Sequence, residues 1–200
     1  MIQEYLNQWQ ITLNTEQLNQ FNQLEELLKK WNKTHNIVSD NDLNYIKERH
    51  ILDSLTGLHL IKNSLNHVDM GSGMGFPLIP LAICLPQCKF TGIEPRSKRV
   101  TIINQILREL SLKNVNLVCS QAEKTNLTPQ TYDSVSCRAL GSLSEDWKRA
   151  DFFLKPKGIF ITFKGSYEVI QDKNIIKCTS SPYKTRSDSK EYYLVQILKE

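Results

Sequence analysis

The chain has 200 residues, enough for one substantial core with a modest elaboration. Hydrophobic residues make up 40% and charged residues 23%, which places it among ordinary soluble globular proteins, and a net charge of +4 permits a polyanionic partner without demanding one. The opening segment MIQEYLNQWQ has neither the basic nor the apolar region of a secretory signal, and the longest apolar run, Phe76 to Leu85, is too short for a membrane span and contains two prolines, so a cytoplasmic protein is expected. The five cysteines, Cys84, Cys88, Cys119, Cys137 and Cys178, form no CxxC pair and leave one over, which favours reduced thiols over a disulfide framework or a metal site.

In chain order, a short helix is expected over Ile2 to Gln10. Asn14 with Gln17 has capping-box spacing, and Leu18, Phe21, Leu24, Leu28 and Trp31 recur at helical intervals behind it. A second long helix is expected from about Asp40 to Asp42, carrying Leu43, Ile46, His50, Leu55 and Leu58. The first 62 residues therefore read as an all-helical N-terminal extension, and 63–200 as a single α/β unit. In that unit the expected strands are HVDM, Lys89 to Glu94, Val115 to Cys119, Tyr132 to Cys137, GIFITF after a turn at Lys155 to Gly158, Ile175 to Thr179 and Tyr192 to Leu198. Helices are expected at Pro77 to Leu85, Ser97 to Leu110 and through Trp147 and Phe153, and a polar loop at Ser180 to Glu191. Strands alternating with helices predict a Rossmann-like, mostly parallel sheet of about seven strands, covered on both faces.

The strongest local signal is Asp69-Met-Gly71-Ser-Gly73-Met-Gly75 between a strand and a helix. Glycines there allow a sharp turn and a close approach of backbone to ligand. A dinucleotide fingerprint would place glycine at 76, where this chain has Phe76, so the loop departs from that pattern. Glu94 ends the next strand, where a carboxylate can accept both hydroxyls of a ribose. Taken alone it reads as a solvated strand-end glutamate; beside the glycine loop the binding role is preferred. Ala122-Glu123 falls where such folds meet an adenine edge, and an ordinary helix-start glutamate is an equal reading.

Loop and carboxylate together resemble the first motifs of class I methyltransferases, which use S-adenosylmethionine. Methyl transfer is an in-line displacement, so the protein must chiefly align the acceptor and exclude water. After the fourth strand stands Ser136-Cys137-Arg138-Ala139 rather than the Asn/Asp-Pro-Pro-Tyr of exocyclic amine methylation. Cys137 lacks the flanking proline of pyrimidine C5 enzymes, and a buried strand-end cysteine is preferred over a nucleophile. An acceptor with a free lone pair, such as guanine N7, needs neither base nor thiolate; Arg138 is the candidate catalytic residue.

The resemblance to one family is closer. Lys30-Trp31-Asn32-Lys33, Arg49-His50-Ile51-Leu52-Asp53-Ser54, the glycine loop running into Phe76-Pro77, Ser97-Lys98-Arg99, Ala122-Glu123, Arg138-Ala139 and Lys164-Gly165 resemble the glucose-inhibited division protein B family, bacterial methyltransferases of guanine N7 near position 527 of 16S ribosomal RNA. The resemblance implies S-adenosyl-L-methionine as cofactor, held by Gly71, Gly73, Phe76, Glu94, Ala122, Glu123 and Arg138. It further implies 16S RNA or the small ribosomal subunit as partner of a monomer with no membrane association. Glu94 stands for the family's usual aspartate, Gln121 for an arginine, Pro95 for a small polar residue and Cys137 for a serine.

Basic residues cluster along the N-terminal helices and around Arg96 to Arg99. Each cluster singly is a solvated helix face, Trp31 and His50 fall on apolar faces, and Arg49 with Asp53 has ion-pair spacing. With the family resemblance, Lys30, Lys33, Arg49, Arg96, Lys98, Arg99 and Lys164 become the candidate RNA contacts. A methyltransferase for a small molecule or another RNA base, and a binding module without catalysis, are the alternatives.

Overall fold

The computed structural model describes residues 2–35, 45–185 and 191–200. A first helix, α1 (Ile2–Asn7), is shorter than expected because the chain turns at Gln10, whose φ is +57°. The capping box forms: Asn14 Oδ1 accepts the Gln17 N–H, and Gln17 Oε1 accepts the Asn14 N–H, each at 2.9 Å. It starts α2 (Thr15–His35), whose buried Phe21, Leu24 and Leu28 follow the expected stripe; Leu27 is buried beside them, and Leu18, expected in the stripe, is exposed.

The start of the second long helix lies outside the described residues. Its described part is not a regular α-helix. A π-helical segment, Lys47–Leu52, runs into α3 (Asp53–Leu55) and, after Gly57, α4 (Leu58–Ile61). Ile46 and Ile51 are both buried, the five-residue spacing that the wider turn produces in place of a 3.6 period.

Seven strands follow: β1 (Asn66–Met70), β2 (Lys89–Ile93), β3 (Val115–Val118), β4 (Tyr132–Arg138), β5 (Leu154–Lys164), β6 (Ile175–Tyr183) and β7 (Tyr192–Lys199). They form one sheet in the order β3-β2-β1-β4-β5-β7-β6, in which β7 is antiparallel to both its neighbours and the other pairs are parallel. Two expected boundaries move. β5 begins at Leu154, and the turn expected at Lys155 to Gly158 is a bulge between the Tyr132–Leu154 and Ser134–Ile159 pairs. Gly158 belongs there because a Cβ would lie 2.8 Å from the Lys155 carbonyl. β6 runs on to Tyr183, which pairs with Tyr192, so the polar loop expected from Ser180 begins later. Lys177 and Pro182 on this edge strand oppose pairing with another chain.

Helices α5 (Leu78–Cys84) and α6 (Ser97–Glu109) cover one face, and the N-terminal helices join the same apolar cluster, which also takes in Ile161, Phe163 and Leu194. Gln17 ties α2 to α5 by donating Nε2 to the Ile83 carbonyl at 2.8 Å. The other face is covered by α7 (Leu143–Phe153), with Trp147 and Phe153 packed on Val68, Val135, Phe160 and Ile197. The alternation of a strand thus assigns β4's side chains. Ser134, Ser136 and Arg138 face α5 and the N-terminal helices; Val135 and Cys137 lie beneath α7.

Candidate active site

The expected cofactor residues converge at the carboxyl ends of β1, β2, β3 and β4. The glycine loop leaves β1 and docks on β2, with Gly71 N–H and Ser72 N–H donating to the Ile93 carbonyl at 2.8 and 3.0 Å. Gly71, Gly73 and Gly75 have φ of +69°, +58° and +88°, the left-handed backbone that glycine adopts without cost. A Cβ at Gly71 would come 2.8 Å from Leu140 Cδ1, the end of an exposed side chain that can move aside, so it is the backbone conformation that requires this glycine. At Gly73 the nearest atom is 3.7 Å away, which leaves a cradle open to a ligand.

Glu94 faces that cradle. Its side chain is buried; Oε2 accepts the Gly73 N–H at 2.9 Å and Oε1 accepts the Arg96 N–H at 3.0 Å, with Arg99 Nη1 at 3.8 Å. The carboxylate is therefore fixed across the loop and keeps acceptor sites for a diol. Beside it lies a cleft of about 460 Å³ lined by Gly71, Ile93, Pro95, Ala122, Glu123, Leu140 and Arg149. Ala122 and Glu123 stand on a short 3-10 turn after β3, and Arg149 Nε donates to Glu123 Oε1, which holds the Glu123 carboxyl below its usual range. These residues fit an adenosyl group: a carboxylate at ribose position, an open glycine cradle and a partly apolar cleft.

At the end of β4, Arg138 is gripped by the π-helical segment and by Asp53 at the start of α3. Its Nη1 donates to Asp53 Oδ2 at 3.0 Å and to the Arg49 carbonyl at 3.4 Å, and Nη2 donates to His50 Nδ1 at 2.7 Å. A guanidinium has no acceptor, so His50 presents an unprotonated Nδ1. The guanidinium carbon lies 5.7 Å from the centre of the Phe76 ring. Asp53 in turn accepts from the Tyr183 hydroxyl at 2.7 Å. Helical spacing reads His50 as packing and pairs Asp53 with Arg49. The structure instead joins His50, Asp53 and Tyr183 to Arg138, and the signal for it in the sequence is a carboxylate on an otherwise apolar helix face.

Under the loop runs a buried polar chain on β1 and β4. Ser136 donates to Asp69 Oδ1 at 2.6 Å, and the ring of His67 spans Ser136 and Ser134 at 2.8 and 2.7 Å. Burial pushes Asp69 up to about 7 and His67 down to about 3. Burial also raises the Cys137 thiol well above its ordinary value; it contacts Thr162 Oγ1 at 3.4 Å under α7 and has no route to a ligand in the cradle.

One expected RNA contact is corrected. Lys164 is buried, with Nζ donating to Asp146 Oδ2 at 2.9 Å and to the Gly141 carbonyl at 2.7 Å, so it serves inside the fold and does not face RNA. Lys33, Arg96 and Lys98 are exposed; Lys30 is exposed with Glu109 at 3.9 Å; Arg49 lies over the Tyr45 ring at 4.8 Å. Among the described residues, no His, Cys, Asp or Glu cluster has metal-ligating geometry.

Strand order, the single reversed strand and the glycine turn facing a carboxylate at the end of β2 define a class I methyltransferase fold. A solved S-adenosylmethionine-dependent methyltransferase from Aquifex aeolicus shares it, with a TM-score of 0.57 at 16% identity over 77% of this chain and 91% of that one. At the level of sequence, residues 17–189 match the family described as rRNA small subunit methyltransferase G, and the chain belongs to that family. Relatives named ribosomal RNA small subunit methyltransferase G include one from Actinobacillus pleuropneumoniae serotype 5b, 40% identical over 177 residues, covering 86% of this chain and 83% of the relative. Another, from Helicobacter pylori strain HPAG1, is 37% identical over 153 residues, covering 76% and 84%.

Proposed function

We propose that this chain transfers the methyl group of S-adenosylmethionine to guanine N7 of 16S ribosomal RNA, near position 527, acting as a cytoplasmic monomer. The observation that carries the choice of acceptor is the pairing at the end of β4: an arginine fixed by Asp53 and His50 lies beside Phe76, while the neighbouring thiol is sealed under α7. Such a site offers a cation and no nucleophile. It suits an acceptor that brings its own lone pair.

When bound, S-adenosylmethionine supplies an electrophilic methyl on its sulfonium. The remaining work is positional. Gly71, Gly73 and Phe76 form the cradle, Glu94 accepts the ribose hydroxyls, and Ala122 with Glu123 meets the adenine edge. Arg138 makes three hydrogen bonds to the described residues, so two of its five N–H donors remain for the acceptor end. The RNA backbone is met by Lys30, Lys33, Arg49, Arg96, Lys98 and Arg99, on the N-terminal helices and at the start of α6. No described helix is long and apolar enough to cross a membrane.

The test is transfer of tritium from labelled cofactor to 16S RNA, without small substrates, by the wild type and by Arg138→Lys. Lysine keeps a cation for Asp53 but cannot reproduce the forked contact. A strong loss of transfer that persists at saturating cofactor is expected; wild-type rates in the variant would remove Arg138 from the site, and absence of label in RNA with the wild type would refute the RNA assignment.

A further inference from the structure

A ladder of alternating charge runs from the sheet to the rim of the cofactor cleft. Lys164 on β5 and Arg149 on α7 share the buried Asp146, at 2.9 and 3.4 Å, and Arg149 then reaches the half-exposed Glu123. The same lysine holds the Gly141 carbonyl, which follows Leu140, a residue lining the cleft. Both walls of that end of the cleft, Leu140 and Glu123, are thus tied to one buried carboxylate.

Beyond the Arg149–Glu123 bridge lies a second cleft of about 400 Å³ lined by Ala122, Glu123, Thr125, Arg149 and the side chains of Phe152 and Phe153. The two clefts share Ala122, Glu123 and Arg149. Removing the bridge would join them.

We propose that the Arg149–Glu123 bridge is a size-selecting wall: it closes the adenine end of the cleft and excludes cofactors enlarged at the adenine 6-amino group. The wall rests on the placement of adenine against Ala122 and Glu123 proposed above. In the wall, Arg149 and Glu123 act by occupying space and by holding each other, beside the contact of Glu123 with the adenine edge. Arg149→Ala is compatible with the fold, because Asp146 retains Lys164 as its counter-ion and alanine is a good helix former. Glu123→Ala opens the wall from its exposed side and leaves the internal Lys164–Asp146–Arg149 contacts in place.

The experiment is calorimetric titration of S-adenosylhomocysteine and its N6-benzyl derivative into the wild type, Arg149→Ala, Glu123→Ala and Glu123→Gln. The wild type should prefer the unmodified ligand by more than about tenfold. Either alanine variant should bring the two ligands within about threefold; affinity for the unmodified ligand should fall by about fivefold or less in Arg149→Ala, the scale of a half-exposed ion pair, and further in Glu123→Ala, which also loses its adenine contact. Glu123→Gln keeps the bulk of the wall and should still discriminate. A wild type that takes both ligands equally overturns the proposal, as do alanine variants that bind S-adenosylhomocysteine yet refuse the benzyl derivative. Failure of the underlying site reading looks different: Glu94→Ala would then leave affinity for S-adenosylhomocysteine unchanged, and the wall would fall with it.

Discussion

Glu94 accepts hydrogen bonds from the Gly73 and Arg96 backbones, so its carboxylate shapes the loop beside the proposed ribose position. Glu94→Ala should weaken cofactor binding by about 1–3 kcal/mol, the scale for losing hydrogen bonds to a charged group, and calorimetry giving equal affinities would place the ribose elsewhere. Gly71 behaves differently. With φ at +69°, any side chain there strains the loop itself, so a substitution at Gly71 reports on stability as well as binding. Cys137 gives the cleaner mechanistic test. Buried beneath α7 with its thiol pushed up, it cannot supply a thiolate, and Cys137→Ser should keep most of the wild-type turnover. A large loss of turnover with cofactor binding intact would instead point to a covalent adduct and a pyrimidine acceptor.

At the scale of elements, β1 and β4 meet through the His67–Ser136–Asp69 chain, and its two titrating ends pull in opposite directions. Folded His67 is held at about 3 against an ordinary 6.5, so the unfolded chain binds more protons between those values and stability rises with pH there. Folded Asp69 is held at about 7 against 3.8, so the folded chain binds more protons and stability falls with rising pH over that range. Between about pH 4 and 6.5 the two slopes oppose. Asp69→Asn keeps an acceptor for Ser136 and removes the falling slope. That variant should lose stability more steeply than the wild type on acidification from pH 6.5, by up to about 1.4 kcal/mol per pH unit. Urea midpoints that run parallel for the two proteins would contradict it. The strands, α5, α6 and the capping box before α2 were legible in the sequence because period and capping are local. The π-turn at 47–52, the β5 bulge and the extension of β6 were not: the bulge is set by pairing with β4, and the β6 extension by pairing with β7 through polar residues that read as loop. The same holds for the site: loop and Glu94 announce themselves by spacing, whereas the grip of His50 and Asp53 on Arg138, and of Tyr183 on Asp53, joins residues 85 or more positions apart.

For the whole molecule, cofactor and RNA are assigned to different surfaces, the first to the sheet's carboxyl edge and the second to basic side chains around it. Neutralising Lys30 and Lys33 together should lower RNA affinity and flatten the dependence of log K on log salt, by roughly one unit of slope for each phosphate that no longer meets a lysine. Cofactor affinity should not move, because both lysines lie on α2, away from the residues lining the cleft. A double variant with wild-type RNA binding at all salt concentrations would show this face to be merely solvated. The turning of Lys164 inward, onto Asp146, narrows the proposed RNA surface to the N-terminal helices and the 96–99 turn. The most direct test of the proposed reaction is the chemical identity and position of the methyl group. Small-subunit RNA from a strain lacking this protein should be incubated with the purified chain and cofactor, then cleaved at N7-methylguanine and mapped. One new N7-methylguanine, near position 527, is the expected product; methylation at another atom or base, or none in RNA, would contradict the assignment.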